Sequence, residues 1–284
     1  MRVLIVGCGD VGQRLLHRIP SAVSVLALAR RVESLAHCRR VGFRVHAGDL
    51  DDPRTLRRLA GWAEAVVHLA PPPPNGVRDT RTRNLIAALS VCQAPRAMVY
   101  VSTTGVYGDR AGAWTSESTP CSPQTDRARR RVDAETQLRA WARRRGVRLS
   151  ILRAPGIYAA DRDGHPRERV LSGKPLLRPE DDVYTNHIHA DDLARACWRA
   201  LWVAQPLRVF NVVDDSDRRM GEHFDLVADQ FALPRPPRVG RDELAQSLSP
   251  MALSFLQESR RIGNERLKRE LRFTLKFPLP EMGW

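Results

Sequence analysis

A glycine-rich turn near the start of the chain constrains the fold more than any other feature. Residues 7–12 read Gly-Cys-Gly-Asp-Val-Gly and follow an apolar run at residues 2–6. Strand, glycine turn and helix in this order predict a unit that binds a dinucleotide. Gly7 permits the tight turn, Gly9 lets a pyrophosphate approach the backbone, and Gly12 lets helix and strand pack closely. The other expected cofactor contacts in the turn are Cys8, Asp10 and Val11.

The end of the second predicted strand indicates which dinucleotide is bound. Residues 23–28 form this strand, and Ala29-Arg30-Arg31 follow it. Folds of this kind that prefer NAD keep an acid near this point for the ribose 2′-OH. Such an acid would repel a 2′-phosphate, whereas arginine binds one in a charge-assisted fork. Arg30 and Arg31 therefore predict NADP(H), with NAD(H) as the alternative, unless both are solvated surface residues of an arginine-rich chain.

The next three strands add further candidates for the cofactor site. We expect these strands at residues 43–47, 65–70 and 97–101. Asp49 and Leu50 follow the third strand, where an acid can meet the adenine edge or serve equally well in a turn that caps a helix. A stiff run of prolines follows the fourth strand, at the sheet edge where ligands bind. The candidates at that edge are Leu69, Ala70 and Pro71.

The excess of positive charge is better explained by the base composition of the genome, which favours arginine codons, than by a nucleic-acid partner. The net charge is +14, but 43 of the 46 basic residues are arginine, and they are spread along the chain without interleaved aromatic residues. No apolar run approaches the roughly 20 residues of a membrane helix. The strand that begins at residue 2 leaves no room for a signal peptide, and the five cysteines form no C-x-x-C pair. We therefore expect a cytoplasmic protein with reduced thiols, no metal, no membrane contact and no nucleic-acid partner.

Six segments follow one another in an order that is typical of a known family; they are residues 7–12, 48–50, 101–108, 152–158, 186–193 and 210–214. Together they resemble the extended short-chain dehydrogenase/reductase family of nucleotide-sugar epimerases and dehydratases, and in particular its atypical bacterial members. The resemblance covers nearly the whole chain and implies that Thr103 hydrogen-bonds the reacting oxygen, next to the hydroxyl of Ser102. It also implies that Pro155, Gly156 and Ile157 pass near the nicotinamide.

The chain departs from this family at its catalytic pair. The family relies on Tyr-x-x-x-Lys, in which Lys lowers the pKa of Tyr and Tyr transfers the proton. Residues four positions after Tyr100, Tyr107, Tyr158 and Tyr184 are Thr104, Ala111, Arg162 and Ile188, so the chain has no such pair. Alignment on Glu135 puts Arg127 at the tyrosine position and Arg131 at the lysine position, where Arg131 can still hold the ribose. Arginine cannot donate a proton near neutral pH, so Tyr107, Tyr158, Asp126 or a water would have to replace it.

Candidate substrate contacts lie in the C-terminal half. Residues 161–180 are predicted to be an irregular loop, in which Arg162 and Lys174 would meet an anionic ligand, unless the loop is simply solvated. Arg261 lies in a segment that resembles the family's C-terminal part, where an arginine meets the substrate. His187 and His189 invite a metal interpretation, which we set aside in favour of a structural turn into a helix at residues 191–202, capped by an aspartate.

These observations predict an α/β fold, a Rossmann-type doubly wound parallel sheet with a small C-terminal substrate-binding subdomain. The Rossmann domain would comprise residues 1–158 with the helix at 191–202 and a strand at 207–213; residues 159–190 and 214–284 would form the subdomain. Two functions remain open. The first is an oxidoreductase or epimerase with a non-standard acid/base, acting on a small, anionic, nucleotide-sugar-like substrate. The second is a catalytically silent NADP(H) sensor or scaffold. The helix around residues 131–145 could also pair in a homodimer.

Overall fold

Seven parallel strands form the central sheet of the computed structural model, which describes residues 1–163, 165–203, 205–247 and 256–284. The spatial order of the strands is β7-β6-β5-β4-β1-β2-β3. The order reverses between β1 and β4, and ligands of open α/β sheets bind at such a reversal, beyond the carboxyl ends of the strands. The strands are β1 (Arg2–Val6), β2 (Ser24–Ala29), β3 (Arg44–Ala47), β4 (Ala65–His68), β5 (Ala97–Thr103), β6 (Arg148–Ala154) and β7 (Arg208–Asn211).

Helices cover both faces of the sheet, because its strands are apolar on both sides. In β1, Val3 and Ile5 belong to one buried cluster, whereas Leu4 and Val6 belong to the other. This alternation follows from the two-residue period of a strand. The described helices are α1 (Asp10–Leu16), α2 (Val32–Arg40), α3 (Thr80–Leu89), α4 (Asp126–Arg145), α5 (Pro166–Leu171), α6 (Ala190–Val203), α7 (Met220–Gln230), α8 (Arg241–Ser247) and α9 (Glu265–Glu270).

The predicted doubly wound sheet is confirmed, and the differences lie at the ends of elements. Helix α4 begins at Asp126 rather than near residue 131, because Thr125 caps it by accepting a hydrogen bond from the Ala128 N–H. The region 161–180 is not wholly irregular, since it contains α5. Helix α6 begins at Ala190, and the cap is not an aspartate: Nδ1 of His189 accepts the Asp191 N–H at 3.1 Å.

Among the described residues, four pairs of very short strands connect the loops beyond the carboxyl ends of the sheet. Gly156–Tyr158 pairs in parallel with His187–His189, outside the central sheet. The C-terminal segment Arg261–Ile262 pairs with Trp114–Thr115. Two further pairs, Tyr184–Thr185 with Arg218–Arg219 and Leu176–Leu177 with Arg238–Val239, join the region after β6 to the region after β7. Within the described residues, no helix is long and apolar enough to cross a membrane.

Candidate functional site

Two cavities lie along the carboxyl ends of the strands, and Pro71 lines both. The first measures about 270 Å³ and is lined by the glycine turn and the ends of β2, β3 and β4. The second measures about 580 Å³ and lies beyond β5 and β6. Of the residues predicted to bind the cofactor, the first cavity contains Gly7, Cys8, Gly9, Arg30, Arg31, Asp49, Leu50, Ala70 and Pro71, and the second contains Val11, Leu69, Pro71, Arg131, Pro155, Gly156 and Ile157.

The glycine turn is shaped by close backbone contacts. Gly7 has a φ of +92°, and a Cβ there would lie 2.6 Å from the backbone nitrogen of Ala70. A Cβ on Gly12 would lie 2.8 Å from the carbonyl oxygen of Gly7. By contrast, a Cβ on Gly9, the residue before α1, would meet nothing within 4 Å. The turn is therefore held tightly from inside and open at Gly9, where a ligand can reach the backbone.

Two arginines and one acid face the far end of the first cavity. Arg30 and Arg31 follow β2, and no acid accompanies them at that strand end. The Arg30 Nη1 lies 3.6 Å from Oδ2 of Asp49, and the Arg30 side chain remains 60% exposed. Leu50 is buried and lines the same cavity. The cavity therefore presents both cationic groups and an apolar wall to a ligand.

A pair of thiols lies directly beneath the turn. The sulfur of Cys8 is 3.0 Å from that of Cys38 on α2, and both residues are buried. Burial, with the neighbouring Cys38, raises the pKa of the Cys8 thiol above its usual range. The Cys8 thiol is therefore neutral at pH 7, and the two sulfurs pack between the turn and α2.

The hydroxyls at the end of β5 have different surroundings. Ser102 and Thr103 both line the second cavity. The Ser102 hydroxyl donates to Oε1 of the fully buried Glu135 at 2.7 Å. Thr103 Oγ1 accepts the Gly105 N–H at 3.2 Å, which leaves its own proton able to reach a ligand. The Thr103 hydroxyl therefore has a proton available to a bound molecule, whereas the Ser102 proton is donated to Glu135.

The residues predicted to replace the missing tyrosine do not line either cavity as the described residues define it. The Tyr107 hydroxyl donates to Oδ1 of Asn211 at 2.7 Å inside a buried cluster, and burial raises its pKa. Tyr158 is 8% exposed, and burial raises its pKa too. Asp126 pairs with Arg129 on the surface of α4 at 2.8 Å.

Titratable groups that sequence reasoning missed line the second cavity instead. They are Tyr184, His187 and Glu258. Burial, together with the charge of Arg218, lowers the pKa of His187 to about 4, so its ring is neutral at pH 7. Its Cδ2 lies 3.7 Å from the point where a Cβ on Gly156 would stand. The spacing of His187 and His189 had suggested only a metal or a turn; the parallel pairing with Gly156–Tyr158, which only the fold reveals, brings His187 to the cavity.

The two arginines that the sequence alignment put at the family's catalytic positions, Arg127 and Arg131, line the second cavity. Arg131 donates from Nη1 to the Tyr100 hydroxyl at 2.9 Å and to the Val101 carbonyl at 3.0 Å. Arg127 is exposed at the rim of the cavity. Desolvation, together with repulsion from Arg131 and other arginines, lowers the pKa of Arg127, although the nearby Glu258 opposes this shift.

The three predicted substrate contacts lie elsewhere. Arg162 donates from Nη1 to Oδ2 of Asp10 at 2.5 Å, so it contacts the first residue of α1. Lys174 is exposed and lines neither cavity among the described residues. Arg261 donates to the Gly112 carbonyl at 2.8 Å and stacks on the rings of Trp114 and Tyr184; Tyr184 lines the second cavity, whereas Arg261 itself does not. Its neighbour Arg260 lines the second cavity in its place.

No metal site is formed by the described residues, in which no three His, Cys, Asp or Glu side chains converge as ligands. His187 stacks on His223 with ring centroids 4.1 Å apart, and His189 stacks on Phe277 at 3.7 Å. Both histidine rings therefore pack against other rings, one from α7 and one from the C-terminal segment.

Comparison with known proteins identifies the family. The sequence profile of the NAD dependent epimerase/dehydratase family matches residues 3–212. The chain belongs to this family. Among curated proteins, the chain is 29% identical over 245 residues to a dTDP-glucose 4,6-dehydratase of Mycobacterium tuberculosis (strain CDC 1551 / Oshkosh), which covers 77% of this chain and 74% of that protein. The resemblance to the extended short-chain dehydrogenase/reductases is thereby confirmed.

Solved structures agree with this assignment. A functionally unknown conserved protein from Silicibacter pomeroyi superposes with a TM-score of 0.80 at 27% identity, over 99% of this chain and 96% of that one. A double mutant of the dTDP-glucose 4,6-dehydratase of Streptomyces venezuelae, solved with NAD bound, superposes with a TM-score of 0.79 at 19% identity, over 99% and 94% of the two chains. The second likeness establishes a shared fold.

Proposed function

We propose that the protein binds NADP(H) along the two cavities and acts as an oxidoreductase or epimerase on a nucleotide-sugar-like ligand. The observation that carries this proposal is the single row of cavity residues from Arg30 and Arg31, through the open Gly9 and the shared Pro71, to Thr103 and Gly156. The adenosine half would lie in the first cavity. The nicotinamide would lie between Thr103 and residues 155–157 in the second.

The preference for NADP over NAD is supported by charge. A 2′-phosphate near Arg30 and Arg31 would gain charge-assisted hydrogen bonds, and no acid stands at the end of β2 to bind a free 2′-OH. Asp49 lies 3.6 Å from Arg30 and holds that side chain toward the cavity. The Streptomyces venezuelae relative, by comparison, was solved with NAD.

The chemistry would depend on Thr103 and on a group other than tyrosine–lysine. The cofactor would supply or accept the hydride. Thr103 would donate its free proton to the oxygen that is reduced. The proton would be exchanged by Tyr184, His187 or Glu258, which line this cavity, either directly or through a water; Tyr107, Tyr158 and Asp126 are not among its described lining residues.

A second candidate, an NADP(H)-binding sensor without turnover, is favoured by one observation. Arg127, which the resemblance aligns with the family's tyrosine, lines the second cavity, and a guanidinium cannot transfer a proton at neutral pH. The homodimer through α4 and the cytoplasmic location expected from the sequence stay predictions.

Calorimetric titration with NADPH and NADH tests cofactor binding. We expect NADPH to bind at least about tenfold more tightly, and Arg30→Ala and Arg31→Ala to remove that preference. Arg40→Ala, at the other end of α2, is the matched control. Equal affinity for the two nucleotides would contradict the NADP assignment, and no binding of either would contradict the proposed function.

Turnover is tested separately with Thr103→Val. If the protein is an enzyme, the loss of NADPH absorbance with a carbonyl substrate should slow by at least about tenfold while NADPH affinity stays unchanged. An unchanged rate would remove Thr103 from the mechanism. Because an epimerase regenerates its cofactor, tight NADPH binding would favour the sensor only if carbonyl compounds are not reduced and nucleotide sugars are not epimerised.

A further inference from the structure

Four guanidinium groups line the second cavity, and one carboxylate accompanies them. Arg127, Arg130 and Arg131 come from the first two turns of α4, and Arg260 comes from the C-terminal segment. Glu258 is the one acidic side chain among the described lining residues. A cavity with this excess of positive charge at its wall attracts anions.

The protein satisfies two of these groups with uncharged oxygens. Arg131 donates to the Tyr100 hydroxyl and the Val101 carbonyl, and Arg130 donates to the Gly76 carbonyl. Arg130 is only 7% exposed, and its Nε has no hydrogen-bond partner among the described residues. A buried cation without a counter-ion is costly. Arg131 interacts electrostatically with Asp79, so Arg130 is the group of the two that a bound anion would stabilise most.

The position of these arginines near the start of α4 also favours a bound anion. The N-terminal turns of a helix carry a partial positive charge, which disfavours cations and favours anions. Arg127, Arg130 and Arg131 all lie within the first six residues of α4. A bound anion would relieve both the repulsion among the guanidiniums and their repulsion from the helix end.

We propose that the ligand of the second cavity carries a carboxylate or phosphate group at its reacting end, beside Thr103, held by Arg127, Arg130, Arg131 and Arg260. Val101, which accepts from Arg131, lies two residues before Thr103 on the same strand. A neutral sugar hydroxyl at this place would bring no counter-charge to the buried Arg130, which donates to the Gly76 carbonyl, whereas Arg260 already pairs with Glu258 at 2.7 Å. That the anionic group lies at the reacting end of the ligand rests on the proposed function, whereas the anion site itself does not.

A matched pair of ligands tests this substrate class. UDP-glucuronate and UDP-glucose differ only by a carboxylate in place of a hydroxymethyl group. Calorimetry on the NADP⁺-saturated protein should show UDP-glucuronate binding at least about tenfold more tightly, which corresponds to about 1.4 kcal/mol. Arg127→Gln should remove this difference while UDP-glucose affinity changes less than about twofold.

The control is Arg129→Gln, because Arg129 lies on the same helix, is exposed and pairs with Asp126 outside the cavity. This variant should keep the full preference for UDP-glucuronate. Melting temperatures of both variants verify that each is folded. Equal affinity of the wild-type protein for the two ligands, or an equal preference in wild type and Arg127→Gln, would overturn the proposal.

A second experiment separates this proposal from the proposed function. If neither UDP compound binds, the nucleotide-sugar assignment fails, and inorganic phosphate and malonate are titrated instead. Binding of either anion that is lost in Arg127→Gln and kept in Arg129→Gln would support the anion site and would identify phosphate or carboxylate as its ligand. Binding of neither, or equal binding to wild type and Arg127→Gln, would overturn it.

Discussion

Arg153 and Glu135 form a buried ion pair directly behind the second cavity. The Arg153 Nη2 lies 2.7 Å from Glu135 Oε2, and the side chains are 3% and 0% exposed. Ser102 and Arg139 add hydrogen bonds to the same carboxylate. Burial by itself would raise the pKa of Glu135, but Arg153, Arg139 and Ser102 together lower it. The pair ties α4 to β5 and β6, and so it fixes the wall that carries the cavity arginines.

Glu135→Gln should therefore destabilise the protein strongly. It leaves the buried Arg153 without a counter-ion, which costs about 3–5 kcal/mol. Urea unfolding should show this loss, with a partial recovery in the double variant Glu135→Gln/Arg153→Met. Arg139→Gln, which removes only a half-exposed partner, should cost about 1 kcal/mol or less. A loss in Glu135→Gln no greater than that of the control would contradict the importance of the buried pair.

The two glycines at the start of the turn should respond differently to alanine. Gly7→Ala forces a Cβ to within 2.6 Å of the Ala70 nitrogen at a φ of +92°, so it should lower stability by several kcal/mol, on the order of 2–4. Gly9→Ala meets nothing within 4 Å and should leave the melting temperature nearly unchanged while it weakens NADPH binding. Thermal unfolding and calorimetry measure both. Undiminished NADPH affinity in Gly9→Ala would mean that the pyrophosphate does not approach Gly9.

Asp214 should make stability depend on pH. Burial raises its pKa to about 7 from an ordinary value of 3.8, although Ser216 donates two hydrogen bonds to Oδ1. Between these values the folded protein keeps the proton that the unfolded chain loses, so this contribution to stability decreases as the pH rises from about 4 to about 7. Asp214→Asn, which imitates the neutral acid, should gain on the wild type by up to a few kcal/mol between pH 5 and pH 8.

Unfolding of both proteins across this pH range measures the difference. Asp217→Asn, an exposed neighbour that lies 3.9 Å from Arg261, should show no comparable gain. A difference between Asp214→Asn and wild type that stays constant from pH 5 to pH 8 would mean that Asp214 titrates in its ordinary range.

Cysteine reactivity should follow burial. Cys92 is exposed, Cys121 is intermediate, and Cys8, Cys38 and Cys197 are buried. Burial raises the pKa of Cys197 to about 12, so little of it is thiolate at pH 8. A disulfide reagent should modify Cys92 rapidly in the native protein and the three buried thiols only after unfolding. Rapid modification of Cys8 would show that the turn opens readily.

The fold was predictable from the sequence because its signals are local. Apolar runs, the glycine turn and the arginines after β2 each fall within about ten residues, and the doubly wound sheet that they predict is confirmed. The predicted starts of helices were less accurate where a capping side chain determines the first residue of the helix. Thr125 starts α4 and His189 starts α6, and neither is marked by the hydrophobic pattern.

The walls of the second cavity were not predictable in the same way. Arg260 lines this cavity and donates to the carbonyl of Gly108, which lies 152 positions earlier in the sequence. Arg162, a predicted substrate contact, instead pairs with Asp10 and is not among the described lining residues. In a chain with so many arginines, spacing alone does not distinguish an arginine in a cavity from one on the surface. Only the pairing of short strands beyond the sheet brings Arg260 and His187 to the same cavity.

The scarcity of lysine has a practical consequence for surface chemistry. Lys174, Lys268 and Lys276 are the lysines of the chain; each is exposed, and none is among the described residues that line the two cavities. Amine-coupling reagents and fluorescent esters will therefore attach away from both sites. Dicarbonyl reagents that modify guanidinium will instead reach Arg127 at the cavity rim. The same protein can thus be immobilised through its amines and have its arginines footprinted chemically while a ligand is bound.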